Sequence, residues 1–146
     1  MDEIDRAIVA ALQKDGRLSN QDLATLVGLT SAPCLRRLRK LEERGIIKGY
    51  RAIVDQAALD CGFEVIVHAD VGKNDGPAIA EFEQRVSAMP EVVELRRMYS
   101  RPDYFIRVRV RDSEQYEQWF TKGLLGNPGV ARVDSRITMK VIKSSE

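Results

Sequence analysis

Residues 19–48 have the sequence SNQDLATLVGLTSAPCLRRLRKLEERGIIK, and this stretch decides the fold of the first half of the chain. It predicts two short helices joined by a tight turn. Ser19 is a typical helix N-cap, and Gly28 ends the first helix. Thr30 then caps the second helix, and Pro33 falls in its first turn, where a missing N–H costs little.

The second of these helices combines an apolar stripe with a basic surface. Leu35, Leu38 and Leu41 recur at helical spacing, and basic residues fill all four positions between them. Residues 31–54 hold seven basic and two acidic residues, although the net charge of the whole chain is only +1. A local basic patch favours contact with a polyanion such as nucleic acid, whereas a solvated helix face is the ordinary alternative for an arginine run.

The segments on either side complete a first domain. Ile4, Ile8 and Leu12 predict a preceding helix, which ends at Asp15-Gly16. Residues 46–54 are rich in β-formers around a central glycine and predict a small two-stranded wing. The sequence therefore predicts a winged helix-turn-helix over residues 1–54 and a linker over residues 55–62.

From Phe63 onward the pattern predicts strand, helix, strand, strand, helix, strand. This order indicates a ferredoxin-like βαββαβ sandwich over residues 63–146, with both helices on one face of the sheet, so the fold class of the chain is α+β. Arg107, Arg109 and Arg111 share the other face, which we expect to be polar. That face could be solvated or could meet a second copy of the chain, and we favour the second arrangement.

Several classes of protein are disfavoured by composition. One histidine and two cysteines, outside any CxxC pair, give no metal cluster, and no nucleophile or paired carboxylate indicates an enzyme. No apolar run approaches the roughly 20 residues of a membrane span, and the acidic start is unlike a signal peptide. We expect a cytoplasmic protein with no membrane partner and no metal. Cys34 is either a small buried residue, which we favour, or a redox-sensing thiolate beside arginines.

Together the two halves resemble the Lrp/AsnC (feast/famine) family of bacterial and archaeal transcriptional regulators. The matching segments occur in order along nearly the whole chain: Asp15-Gly16-Arg17-Leu18-Ser19, Leu23-Ala24, Val27-Gly28-Leu29, Pro33-Cys34-Leu35-Arg36-Arg37-Leu38, Leu41-Glu42, Gly45-Ile46-Ile47, Gly49-Tyr50, Met89-Pro90-Glu91-Val92 and Asp103-Tyr104. The resemblance implies a homodimer, often assembled further into an octamer, whose helix-turn-helix modules bind DNA half-sites. It also implies a small-molecule effector, usually an amino acid, bound between effector domains.

The candidate DNA-binding residues lie at the starts of the two helices of the motif and along the second. The first residues of a recognition helix come nearest the base edges, and arginine and lysine bind bases or phosphates. The start of the preceding helix is expected near backbone phosphates. The predicted set is Asn20, Gln21, Ser31, Ala32, Pro33, Arg36, Arg37 and Lys40.

The candidate effector site centres on residues 99–104. Asp103 is either the partner of a ligand ammonium group or a residue that shapes a β-turn. Ser100 stands where the family usually has glycine, and the last strand is charged where family members often carry hydroxyls. Either the effector therefore differs from leucine-like amino acids, or protein charges fill the pocket and no effector binds. The predicted set is Tyr99, Ser100, Arg101, Asp103, Tyr104, Asp134 and Arg136.

These observations predict a sequence-specific transcriptional regulator of the nucleoid, modulated by an amino acid or related metabolite. The alternative is an effector-independent architectural DNA-binding protein. The two differ in the ratio of specific to nonspecific affinity at physiological salt, because nonspecific binding depends mainly on phosphate contacts.

Overall fold

A computed structural model describes residues 1–72 and 76–144. The chain divides into two compact units, residues 1–53 and residues 54–146. Within the described ranges, no helix combines the length and apolar character that crossing a bilayer requires.

The first unit contains the three predicted helices around one small core. They are α1 (Glu3–Lys14), α2 (Asn20–Leu26) and α3 (Ser31–Glu43). Each helix contributes apolar side chains at helical spacing, so their stripes meet in the middle of the unit. The fully or almost fully buried residues of this core are Ile8, Leu23, Ala24, Cys34 and Leu41.

Local chemistry sets the turn between α2 and α3. The Ser19 Oγ accepts a hydrogen bond from the Asp22 N–H at 3.1 Å and donates one to an Asp22 carboxylate oxygen at 2.6 Å, which confirms the predicted N-cap. Gly28 has φ +70°, a left-handed conformation that lets the chain reverse after α2. Thr30 occupies the N-cap position of α3, but its side chain makes no capping hydrogen bond.

The predicted two-stranded wing is wrong at the level of strands, because residues 46–54 form none. The N–H groups of Ile46 and Ile47 both donate to the Leu41 carbonyl oxygen, at 2.9 and 3.1 Å. The Tyr50 hydroxyl donates to the Glu42 carboxylate at 2.9 Å. The segment after α3 therefore turns back onto the end of that helix. The N–H groups of Ile46 and Ile47 are then already hydrogen-bonded and are unavailable for a β-ladder.

The second unit is a four-stranded antiparallel sheet with its helices on one face. A short 3₁₀ turn (Ala57–Leu59) precedes β1 (Phe63–Val71), α4 (Gly76–Ser87), β2 (Val92–Arg97), β3 (Tyr104–Val110), α5 (Ser113–Gln118), a π-helical continuation of α5 (Trp119–Leu124) and β4 (Val130–Ile137). The strand order is β2-β3-β1-β4. The order of elements and of strands confirms the predicted ferredoxin-like fold.

The two faces of the sheet differ as the alternation in β1 predicts. Val65, Val67, Ala69 and Val71 are buried beneath the helices, and the residues between them lie on the other face. The remaining buried core residues of the unit are Phe82, Val86, Tyr104, Ile106, Val108, Val110, Trp119 and Leu124.

The polar face contains ion pairs within the chain itself. The Arg109 Nε lies 3.0 Å from a Glu64 carboxylate oxygen, and the Arg107 Nε lies 3.2 Å from Glu94. The Thr138 hydroxyl donates to the other Glu64 oxygen at 2.9 Å. Arg111, predicted to share this face, lies beyond the end of β3 and pairs with Asp112 at 2.8 Å.

We predict that Cys34 is structural. Its side chain is fully buried in the core of the first unit, and burial raises the pKa of the thiol, which disfavours the reactive thiolate at neutral pH. Cys34→Ser should destabilise the folded state by about 1–3 kcal/mol, because the added hydroxyl has no partner in the apolar core. Chemical denaturation measures this decrease in the free energy of unfolding.

Cys61→Ser is the matched control, because Cys61 is partly exposed and should be replaceable without such a cost. A thiol-reactive dye should modify Cys61 in the folded protein and Cys34 only on unfolding. Equally fast modification of both cysteines would restore the redox-sensing interpretation of Cys34.

Candidate DNA interface and effector cleft

The start of α3 and one side of that helix are accessible. Ser31 and Ala32 are exposed, and Pro33 is partly exposed. Arg36 and Lys40 are also exposed, and in the part of the chain that the structure describes no side chain forms an ion pair with either. Two cations without a counter-charge, beside an accessible helix start, are what binding of phosphates and base edges requires.

A shallow cleft of about 280 Å³ follows this side of α3, between α3 and α1. It is lined by Asp5, Arg36, Arg37, Lys40, Leu41 and Arg44. Arg36, Lys40 and Arg44 succeed one another at four-residue spacing and therefore lie along one side of the helix. Arg44 was not among the predicted residues, although this spacing could have identified it.

Arg37, a predicted DNA contact, forms ion pairs with two carboxylates of the same chain. Its Nη1 lies 2.7 Å from an Asp2 carboxylate oxygen and 2.8 Å from an Asp5 carboxylate oxygen, both on α1 or its N-cap. The two carboxylates raise the pKa of Arg37. The pKa of Asp2 lies below its ordinary value because its carboxylate accepts a hydrogen bond from the Asp5 N–H, which has the larger effect, and another from Arg37. In this arrangement the Arg37 guanidinium already has two carboxylate partners.

Asn20 and Gln21, both predicted to reach phosphates, differ in their surroundings. The Asn20 Nδ2 donates to the Ser31 carbonyl oxygen at 2.8 Å, and so ties the start of α2 to the start of α3. Gln21 is exposed. Of these two residues, Gln21 is the one whose side chain is open to a backbone phosphate.

The second unit has a cleft of about 600 Å³ on the polar side of the sheet. The lining residues are His68, Asp70, Val71, Gly72, Arg101, Pro102, Ala131, Arg132, Asp134 and Arg136. Three predicted effector residues, Arg101, Asp134 and Arg136, are therefore brought together here. Tyr99 and Ser100 are exposed on the same turn but do not line the cleft.

Asp103 shapes the turn rather than lining the cleft. One of its carboxylate oxygens accepts the Val71 N–H at 2.9 Å, and its own N–H donates to an Asp70 carboxylate oxygen at 3.1 Å. This exchange fastens the turn between β2 and β3 to the end of β1. The geometry supports the turn-shaping interpretation of Asp103 and leaves the cleft to other charges.

Tyr104 was predicted to bind effector, and the structure places it in the core instead. Its ring packs against Phe82, with ring centroids 4.7 Å apart, and its hydroxyl donates to the Glu83 carboxylate at 2.9 Å. Burial is the main cause that raises the pKa of this phenol. Because neighbouring residues of a strand point to opposite faces, Tyr104 lies under the helices and not on the polar face.

Three lining residues with ionisable side chains were missed: His68, Asp70 and Arg132. Alternation in β1 and β4 places all of them on the polar face and could have identified them. Asp134 and Arg136 pair with each other at 3.0 Å, whereas among the described residues no side chain pairs with Arg101 or Arg132. The cleft is therefore lined by two guanidinium groups that form no ion pair among the described residues. The carboxylates of Asp70 and Asp134 line the same cleft.

No set of three or more histidine, cysteine, aspartate and glutamate side chains within residues 1–72 and 76–144 is arranged to hold a metal ion. The charged groups of both clefts are suited to ionic and hydrogen-bonding recognition.

Comparison with known proteins matches two family models to separate parts of the chain. Residues 1–48 match a family model for winged helix-turn-helix DNA-binding domains, and residues 64–146 match the model for the Lrp/AsnC ligand binding domain. The Bkd operon transcriptional regulator of Pseudomonas aeruginosa is 40% identical over 142 residues, covering 97% of this chain and 93% of that protein.

Solved structures extend this likeness to three dimensions. An AsnC family transcriptional regulator from Agrobacterium tumefaciens is 35% identical with a TM-score of 0.93, covering 99% of this chain and 94% of that one. A transcriptional regulator from Neisseria meningitidis, in complex with L-Met, is 29% identical with a TM-score of 0.94, covering 99% and 93%. By its matched domains, its sequence identity and its fold, the chain belongs to the Lrp/AsnC family of transcriptional regulators.

Proposed function

We propose that this regulator binds double-stranded DNA through α3 and that an amino acid in the polar cleft of the second unit modulates the binding. The observation that carries the DNA part is the pair of exposed cations, Arg36 and Lys40, which have no counter-charge among the described residues. We place such a regulator at the nucleoid in the cytoplasm, without a membrane partner.

In this proposal the first turn of α3 enters the major groove. Ser31, Ala32 and Pro33 then come nearest the base edges, while Arg36 and Lys40 bind phosphates or bases beside them. Gln21 at the start of α2 meets the backbone, and Asn20 sets the spacing between the two helices through its bond to Ser31.

The regulator acts as a homodimer, with further assembly to an octamer as the larger form. Two symmetric copies place two α3 helices on two half-sites, which a single short helix cannot do. The second unit supports self-association because large apolar side chains near its C-terminal end are exposed: Met139 by 98%, Ile142 by 83% and Val141 by 55%. The polar sheet face is the other surface that we assign to a second copy.

The effector site of the proposal is the 600 Å³ cleft. A free amino acid carries a carboxylate and an ammonium group, and the cleft offers Arg101 and Arg132 for the first and Asp70 and Asp134 for the second. The relative from Neisseria meningitidis was solved with L-Met, which supports an amino acid as the class of ligand. Because Asp70 also holds the Asp103 N–H, an occupied cleft would act directly on the turn between β2 and β3.

The DNA-binding side chains are testable through salt dependence. Arg36→Ala and Lys40→Ala should each weaken binding to a duplex that the protein selects from genomic DNA. Each should also reduce the slope of log K against log[salt] by about 0.9 for every phosphate that the side chain neutralises in the wild-type complex. Fluorescence anisotropy over a salt series measures both quantities.

Arg85→Ala is the matched control for the DNA variants, because Arg85 is an exposed arginine on α4 in the second unit. It should leave affinity and slope unchanged. If the α3 variants keep the wild-type slope, Arg36 and Lys40 do not bind phosphates, and this assignment of the interface is wrong.

The effector site is testable by calorimetric titration with each of the twenty amino acids. We expect at least one to bind, and Arg132→Ala should weaken that binding about tenfold or more, because it removes an uncompensated guanidinium from the cleft. Arg85→Ala again serves as the control. Absence of binding by all twenty would favour the alternative in which protein charges occupy the cleft.

A further inference from the structure

The arginines of α3 have different surroundings, although the sequence places them side by side. Arg36 points into the open cleft without a counter-charge among the described residues, whereas the neighbouring Arg37 meets two carboxylates. The Arg37 side chain is 33% exposed and the Asp5 side chain only 15%. Arg37 is thus the arginine of the helix that is committed to partners within the protein.

Those partners also form the cap of α1. One Asp2 oxygen accepts the Asp5 N–H at 2.8 Å and the other accepts Arg37 at 2.7 Å. One Asp5 oxygen accepts the Asp2 N–H at 3.3 Å and the other accepts Arg37 at 2.8 Å. All four carboxylate oxygens are therefore used, two for the capping box and two for a single guanidinium nitrogen.

This arrangement links the start of α1 to the middle of α3 across more than thirty residues of sequence. The apolar core fixes how closely the two helices pack, but dispersion and burial are weakly directional. A charge-assisted pair of hydrogen bonds is directional and resists rotation of α3 about its own axis. Rotation about that axis would move Arg36 and Lys40 away from a DNA backbone together.

The same arrangement also cancels charge beside the DNA-binding side chains. Asp5 lines the cleft with Arg36, Lys40 and Arg44, and an unpaired carboxylate there would repel a phosphate. Arg37 neutralises it. We propose that Arg37 is a positioning residue for DNA binding, which acts through Asp2 and Asp5 to orient α3, and that Arg36, Lys40 and Arg44 supply the phosphate contacts. This inference rests on the proposed DNA-binding function.

The competing arrangement is that Arg37 leaves the carboxylates and binds a phosphate itself. The two possibilities give opposite signs for Asp2→Asn/Asp5→Asn. If local charge alone mattered, removing two negative charges near the DNA would tighten binding. If the cluster orients α3, the same change weakens binding, and the asparagine at the N-cap still caps α1.

The test uses the full chain, with any purification tag at the C-terminal end, and a duplex selected by the wild-type protein. Arg37→Ala and Asp2→Asn/Asp5→Asn should each weaken binding about three- to tenfold, and the combined variant should be no weaker than either. The salt slope should stay at the wild-type value in Arg37→Ala, whereas Arg36→Ala lowers it by about 0.9 per phosphate. Arg37→Lys should restore part of the affinity.

Three results would overturn the proposal: tighter binding by the double asparagine variant, a slope in Arg37→Ala lowered as in Arg36→Ala, or unchanged affinity in both variants. Circular dichroism before each titration gives the folded fraction, and the double asparagine variant decides the question if Arg37→Ala unfolds. If Arg36→Ala and Lys40→Ala also leave binding untouched, the proposed interface itself has failed, which is a separate outcome.

Discussion

The DNA-binding half of the structure depends on one constraint: α3 must be buried on one side and cationic on the other. Thirteen residues supply both. Cys34 and Leu41 enter the core with Ile8 and Leu23, and the basic residues between Cys34 and Leu41 are exposed or partly exposed. The apolar contacts give the helix its stability, since a helix of this length is marginal alone. Side-chain hydrogen bonds of Asn20 and Arg37 then set where its start and its middle lie.

The effector half follows from a different constraint, the two-residue period of its strands. The buried valines of β1 pack beneath the helices, so the residues between them lie on the polar face. Glu64, Arg107 and Arg109 compensate one another there. Toward the other end of β1, the Asp70 carboxylate accepts the Asp103 N–H and so holds the turn between β2 and β3. Beside it, Arg101 and Arg132 line the cleft and form no ion pair among the described residues. A ligand that binds this cleft meets a turn already tied to the sheet.

Much of this was predictable because it is local in sequence. The Ser19 cap, the stripe of α3 and the alternation of Val65–Val71 all follow from periodicity or from side-chain chemistry within a few residues. The predicted strands of the wing are absent from residues 46–54, where the N–H groups of Ile46 and Ile47 donate to the Leu41 carbonyl oxygen. β-propensity does not describe this competition between a helix end and a β-ladder for the same donors. The partners of Arg37 lie on another helix, 32 and 35 residues away, so no local pattern reveals them. Tyr104 was placed in the predicted site on its resemblance to a family motif, whereas the alternation of side chains along β3 puts it in the core.

We propose a sequence-specific regulator whose DNA occupancy responds to an amino acid. The most direct test is to incubate the full chain with fragmented genomic DNA at physiological salt, with and without the twenty amino acids, and to sequence what is retained. We expect discrete enriched sites whose occupancy changes with the amino acids. Retention of DNA without sequence preference, and without response to any amino acid, would contradict it and would indicate an architectural DNA-binding protein.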